Sequence, residues 1–194
     1  MTKLFKALLV SISLLIAAPA MANTEEYGTL LSGSFQPAES FASLTVEGSG
    51  SIYNFTLSAF DLNTIFSSNA FIGAIAVDLS SSLLPAISNI FGDSPVGVST
   101  AGGPGGAFEF RFDLTGPRQA RLTSNETVSW TATFAQPVSF VGNEFALHVQ
   151  NIGAQGDSAW YVNTSPVPEP ETYAMMLAGL GFMGFVSRRK KSIK

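Results

Sequence analysis

The sequence predicts an all-β body between residues 23 and 165, an antiparallel β-sandwich of jelly-roll type. Three observations predict it. Apolar and polar residues alternate with a period of two in four separate stretches, which is the pattern of a strand with one face in a core and one in water. Clusters of Gly, Pro, Asn and Ser punctuate those stretches at short intervals. The chain also has 16 Phe, enough large apolar side chains to fill the space inside a sheet.

The four clearest strands are read directly from that alternation. Tyr53, Phe55, Leu57 and Ala59 alternate with Asn54, Thr56 and Ser58; Phe108, Phe110, Phe112 and Leu114 alternate with Glu109, Arg111 and Asp113. Val128, Trp130, Ala132 and Phe134 alternate with threonines and Ser129, while Phe145, Leu147 and Val149 alternate with Glu144, Ala146, His148 and Gln150. Weaker strand signals cover Thr29 to Phe35, Phe41 to Glu47, Phe71 to Leu79 and Ala159 to Asn163, making eight strands in all. The Phe71 to Leu79 run is apolar on both faces until Asp78, as in a central strand covered on both sides. Ser80 to Phe91 admits a short helix if Pro85 falls in its first turn. Val96 to Gly106, with five glycines and two prolines nearby, reads as a mobile loop.

Composition excludes several function classes. The 194-residue chain has no cysteine, so disulfides, zinc–thiolate sites and a cysteine nucleophile are ruled out, and its one histidine rules out any site needing two imidazoles. Of ten Lys and Arg, five lie in the last seven residues. From Asn23 to Ser165 twelve carboxylates stand against Arg111, Arg118 and Arg121, a net charge of −9. Such a body does not bind nucleic acid, and it repels polyanions.

The two ends read as targeting segments. Lys3 and Lys6 precede a 12-residue apolar run from Ala7 to Ala18, and Ala20-Met21-Ala22 has the small-x-small pattern of a signal-peptidase site. Residues 1–22 are therefore a signal peptide, cleaved after Ala22 by signal peptidase. At the other end Pro166, Pro168 and Pro170 hold the backbone extended. An apolar run of 14 residues, Tyr173 to Val186, follows, and then Arg188-Arg189-Lys190-Lys191. As a helix that run is roughly 21 Å long, short of a hydrocarbon core of roughly 30 Å, so it makes a marginal transmembrane helix. The basic residues place its far end in the cytoplasm.

Val167-Pro168-Glu169-Pro170-Glu171-Thr172-Tyr173, the apolar helix behind it and the closing Arg188-Arg189-Lys190-Lys191 resemble a PEP-CTERM sorting domain over residues 166–194, with the motif at 168–170, the helix at 173–186 and the basic tail at 188–194. The resemblance implies an exosortase, a membrane enzyme that recognises Pro168, Glu169 and Pro170, removes the tail and sorts the protein to the cell surface or extracellular matrix. It also implies a Gram-negative host that makes exopolysaccharide. The inner membrane is then a transient partner, held through the C-terminal helix before processing.

Within the body no catalytic residue is nominated. His148 falls on a polar strand face with Glu144 and Gln150, and no serine sits in a G-x-S-x-G elbow. Glu109, Arg111 and Asp113 on one face read as a surface ion-pair row. No cofactor and no metal are expected. Calcium is the one candidate, at Asp61-Leu62-Asn63 and Gly156-Asp157-Ser158, and turn chemistry accounts for both. Trp160-Tyr161 is the most suggestive pair for ligand binding: successive strand residues point to opposite faces, so one ring packs inside and the other meets solvent, where it can stack on a sugar. The expectation is a non-enzymatic surface or matrix protein. A carbohydrate-binding module holding exopolysaccharide is the alternative, and a secreted hydrolase a lesser one.

Overall fold

The computed structural model describes residues 21–164 apart from 80–83, 101, 115, 118–119 and 141–143. Ala20, Pro168, Glu169, Pro170, the apolar run 173–186 and Arg188, Arg189, Lys190 and Lys191 lie outside the described residues. Among the described residues no helix is long and apolar enough to cross a membrane.

Ten strands form one continuous antiparallel sheet: β1 (Met21–Ser32), β2 (Ala42–Ser49), β3 (Ile52–Ala59), β4 (Phe71–Val77), β5 (Ala86–Gly92), β6 (Gly97–Ser99), β7 (Phe110–Asp113), β8 (Thr127–Thr133), β9 (Phe145–Ile152) and β10 (Asp157–Asn163). Their order across the sheet is β5-β8-β3-β2-β1-β10-β9-β4-β7-β6. The sheet curls until its halves face each other. Phe55 of β3 lies 5.2 Å from Phe112 of β7, and Phe112 lies 5.2 Å from Trp130 of β8, ring centre to ring centre. The two edge strands are consecutive in the chain, joined through residues 93–96, where the Ser94 hydroxyl sits 3.1 Å from the Leu114 carbonyl and 3.0 Å from that of Ala120. This is a nearly closed barrel, which corrects the expected two-sheet sandwich. The reason is the β1–β10 ladder: it joins the first and last strands, so the hydrogen bonding never breaks into two layers.

One-sided burial dictates most of the strands. Phe110, Phe112, Val128, Trp130, Phe134, Phe145, Leu147 and Val149 are all buried in the common core, as their alternation requires. Phe55 and Trp130 stack face to face at 5.2 Å with 7° between their planes. Phe108 departs from the pattern: it is half-buried, outside β7, and lies against Gly103 on the outer face. β1 begins at Met21 rather than near Thr29, so Ala22, exposed, stands in its first turn of pleat and cleavage after Ala22 would leave the strand starting at Asn23.

Three stretches differ from expectation. Residues 86–92 form edge strand β5 on β8 rather than helix, because the β8 outer rim offers an unpaired ladder that Ala86, Ile87, Ser88, Phe91 and Gly92 fill. Gly97–Ser99 adds β6 to β7, and Pro104–Gly106 makes a single 3-10 turn, so the expected mobile loop contains regular structure. Gly103 approaches β4 so closely that a Cβ there would fall 2.8 Å from the Ala76 methyl. A short helix, α1 (Leu62–Ile65), is capped by Asp61, whose carboxylate accepts from the Thr64 amide at 3.2 Å and the Thr64 hydroxyl at 2.7 Å.

Strand β4 is buried along its whole length, which matches its two-sided apolar sequence. Ile72, Ile75 and Val77 enter the core, while Phe71, Ala74 and Ala76 face outward beneath other parts of the chain. The outward side chains are small where the cover is close.

Candidate functional site

The outer face of β10, β9 and β4 carries the groups with chemistry. Register sets them in two rows. Trp160 pairs with His148 and His148 with Ala74; Ser158 pairs with Gln150 and Gln150 with Phe71. Trp160 and His148 stack at 4.4 Å with 7° between the rings, and Gln150 Nε2 lies 3.2 Å from His148 Nδ1. The His148 imidazole is half-buried. Burial, and then the Arg111 guanidinium nearby, hold its pKa below the usual histidine value.

The Trp160-Tyr161 pair divides between faces. Tyr161 is fully buried, edge-on to Phe41 at 4.9 Å, and its hydroxyl donates to the Phe35 carbonyl at 2.8 Å. Burial raises its pKa far above that of a free phenol. Trp160 is the half-exposed member, so Tyr161 is not available to a ligand.

Beyond Gln150 the same face opens into a groove of about 690 Å3, lined by Asn69, Phe71, Arg121, Thr123, Gln150, Asn151, Gly156 and Ser158. Its walls are pinned by main-chain and side-chain hydrogen bonds. Asn151 takes a left-handed φ of +62°, a conformation asparagine tolerates, and its amide donates to the Asn69 carbonyl at 2.9 Å. Ser68 donates to the Asn151 carbonyl at 2.8 Å, which ties the loop before β4 to the β9–β10 hairpin. On the opposite wall the Ile72 amide donates to the Leu122 carbonyl at 2.9 Å and the Thr123 amide to Glu126 at 2.6 Å, so Arg121 and Thr123 are held on either side of a fixed bridge. The Arg121 guanidinium lies over the Phe71 ring, 4.3 Å from its centre. Gly73 lets the Gln150 carboxamide lie across β4, since a Cβ there would come within 3.1 Å of it.

Other nominated residues serve structure. Among the described residues Arg111 pairs with Asp113, at 2.6 Å; Glu109 instead accepts the Leu79 amide at 2.7 Å, which replaces the expected three-residue row. Asp78 touches Glu109 at the end of β4 remote from the groove. Burial, then Glu109 and Glu144, raise the Asp78 pKa. Asp61 caps α1 and Asp157 opens β10, and among the described residues no three His, Asp or Glu converge as a metal site.

Tyr27, at the start of the β1–β10 ladder, and the Thr164 amide, which donates to the Glu26 carbonyl at 2.7 Å, mark where the described chain leaves the barrel. Residues 166–191 beyond that point match the family model of the PEP-CTERM protein-sorting motif. The chain carries a PEP-CTERM sorting motif. That match includes Pro168, Glu169, Pro170 and the basic run Arg188 to Lys191. The PEP-CTERM motif implies an exported protein targeted to an exosortase and processed at a membrane. No curated protein matches the chain. Ser158, which lines the groove, lies at the start of β10, and the described chain leaves the barrel at that strand's other end, after Asn163. Seven strand residues separate those ends by roughly 20 Å.

Sequence reasoning missed the groove. Phe71, Arg121 and Gln150 come from three distant stretches, and only the β4–β9 register brings them together. Gly73 inside an apolar strand was the available signal, because a glycine there marks a close approach.

Proposed function

We propose that the protein is an exosortase-processed component of the cell surface or extracellular matrix of an exopolysaccharide-producing Gram-negative bacterium, with a binding or structural role and no catalytic one. The observation that carries this reading is the PEP-CTERM motif at 166–191, directly after the last barrel strand. The single imidazole is stacked on Trp160 and bonded to Gln150, which supports a structural use for it. Deleting the host exosortase and following the protein by cell fractionation and intact-mass measurement is the test. Loss from the surface with residues 173–194 retained is expected; unchanged surface material lacking the tail would overturn the reading.

A second reading, a carbohydrate-binding module, is favoured by the half-exposed Trp160 ring. A planar aromatic held flat by a neighbouring ring is a platform for the C–H face of a sugar. Retention on immobilised polysaccharide that is lost in Trp160→Ala would support it, and equal retention by the variant would remove it.

A further inference from the structure

We infer that the groove lined by Asn69, Arg121, Thr123, Gln150, Asn151 and Ser158 is a binding site for a neutral oligosaccharide, which continues onto the Trp160–His148 stack. This rests on the second reading above and adds a site, a ligand charge and a path.

The lining decides the chemistry. Asn69, Gln150 and Asn151 present carboxamides, each able to donate and accept, and Thr123 and Ser158 present hydroxyls with the same versatility. Vicinal sugar hydroxyls, which also donate and accept, match that set better than any purely acidic or basic ligand does. The one charged residue among the described lining is Arg121. Its guanidinium rests on the Phe71 ring at 4.3 Å, which leaves its edge free to donate in the ring plane. The body around it carries −9 from Asn23 to Ser165, so a polyanionic chain is repelled over most of its length.

Geometry sets the path. Ser158, Gln150 and Phe71 lie on three adjacent strands, so the groove floor is roughly 10 Å across at one strand spacing of about 4.8 Å. Two residues back along β9 and two on along β10, about 7 Å away, stand His148 and Trp160. The Gln150–His148 contact at 3.2 Å joins the amide row to the aromatic row. A volume of about 690 Å3 lies within the range of pockets that hold small organic ligands. One sugar therefore stacks on Trp160 while those next to it lie among the amides. The Asn151 carboxamide is held by the Asn69 carbonyl and the Thr123 main chain by Glu126, so little ordering of the groove walls is needed on binding.

The experiment is calorimetric titration of the full chain, in a non-glycoside detergent, with neutral trisaccharides (cellotriose, maltotriose and a β-1,3-glucan trisaccharide) and with trigalacturonate. Binding of at least one neutral trisaccharide is expected, with an affinity changing less than twofold between 50 and 300 mM salt. Gln150→Ala should weaken it tenfold or more. Ser158→Ile, at an exposed strand position, should do the same by filling the groove mouth with the melting temperature unchanged. Trp160→Ala should weaken it to a similar degree. Loss in Trp160→Ala with full binding in Gln150→Ala and Ser158→Ile would overturn the groove site while leaving the platform reading intact. Binding of trigalacturonate alone, abolished by salt, would overturn the neutral-ligand assignment. Absence of binding to all four would overturn both.

Discussion

Strands β8 and β4 are both interior strands of one sheet, yet their outer faces are built in different ways. β8 turns Thr127, Ser129, Thr131 and Thr133 to water while Val128, Trp130 and Ala132 fill the core. Its outer hydroxyls bond to the neighbouring strand, Thr131 to Asn54 at 2.9 Å and Thr127 to Ser58 at 3.0 Å. β4 has no such face: Phe71, Ala74 and Ala76 point outward and are buried, as are Ile72, Ile75 and Val77. The difference shows where the barrel is wrapped. Small residues lie under the 102–108 loop and under the Gln150 side chain, Phe71 lies under Arg121, and the groove is what remains uncovered beside them. Water-facing strands hold the barrel together, and the wrapped strand makes the site.

The hardest way to break this contrast is to empty the face that both strands share. Trp130 stacks on Phe55 and meets Phe112 edge-on, each 5.2 Å from it, and is 2% exposed. Trp130→Ala should cost about 3–5 kcal/mol, enough to unfold much of the population of a marginal domain. Among the described residues its indole nitrogen has no hydrogen-bond partner, so the loss is of packing and Trp130→Phe should recover most of it. Chemical denaturation of the three proteins measures this, and an unchanged midpoint in Trp130→Ala would place Trp130 outside the core.

A smaller effect separates the two rings at the start of the groove face. Tyr161→Phe removes a hydroxyl bonded to the Phe35 carbonyl at 2.8 Å and should cost about 1 kcal/mol. Trp160→Ala on the outer face should cost less, because its ring, stacked on His148, is half-exposed. Equal or reversed losses in thermal melts would show that the inside–outside division of the pair is wrong.

These contrasts also explain what the sequence made legible. Alternation marks β3, β8 and β9 because each has one wet face, and it separates Trp160 from Tyr161 for the same reason. It overextended β7 to Phe108, since an aromatic covering the outer face of the sheet keeps the same period as one entering the core. β5 was hidden because an edge strand buries no regular face: Ile90 and Phe91 are exposed, and Asn89, at a φ of +51°, interrupts the ladder. Closure into a barrel was hidden because pairing of β1 with β10 joins residues more than a hundred positions apart, which no local pattern encodes. The groove was hidden on the same ground, its amides being ordinary loop and strand residues until register assembles them.

His148 sharpens the comparison through pH. Burial and Arg111 depress its folded pKa below 6.5, so the unfolded chain takes up a proton on His148 before the folded chain does. The stability tied to neutral His148 is therefore complete above about pH 7.5 and is lost as pH falls through 6.5 toward the folded value. His148→Asn should flatten the melting temperature between pH 7.5 and 5.5 relative to the parent protein. Carboxylate titration, which dominates lower down, is common to both and cancels in the difference. Parallel curves for the two proteins would mean that His148 is as solvated as a free imidazole.

The smallest change probes the wrapped face itself. Gly73 has an ordinary backbone conformation, so alanine there carries no penalty of left-handed strain and lowers the entropy of the unfolded chain, a gain of about 0.4–1 kcal/mol. Against this, the new methyl would stand 3.1 Å from the Gln150 carboxamide, tighter than a comfortable contact. That carboxamide is the far end of a flexible side chain with the groove beside it, and it can move for less than the core could. The two effects oppose each other, and Gly73→Ala should leave stability within about 0.5 kcal/mol of the parent. The displacement should still be visible, because moving Gln150 breaks its 3.2 Å contact with His148 and changes the imidazole resonances in an NMR spectrum. A loss of several kcal/mol would show that Gly73 is covered by rigid backbone rather than by a movable side chain. A silent imidazole would show that Gln150 and His148 are not coupled, and the wrapped face would then be two separate surfaces.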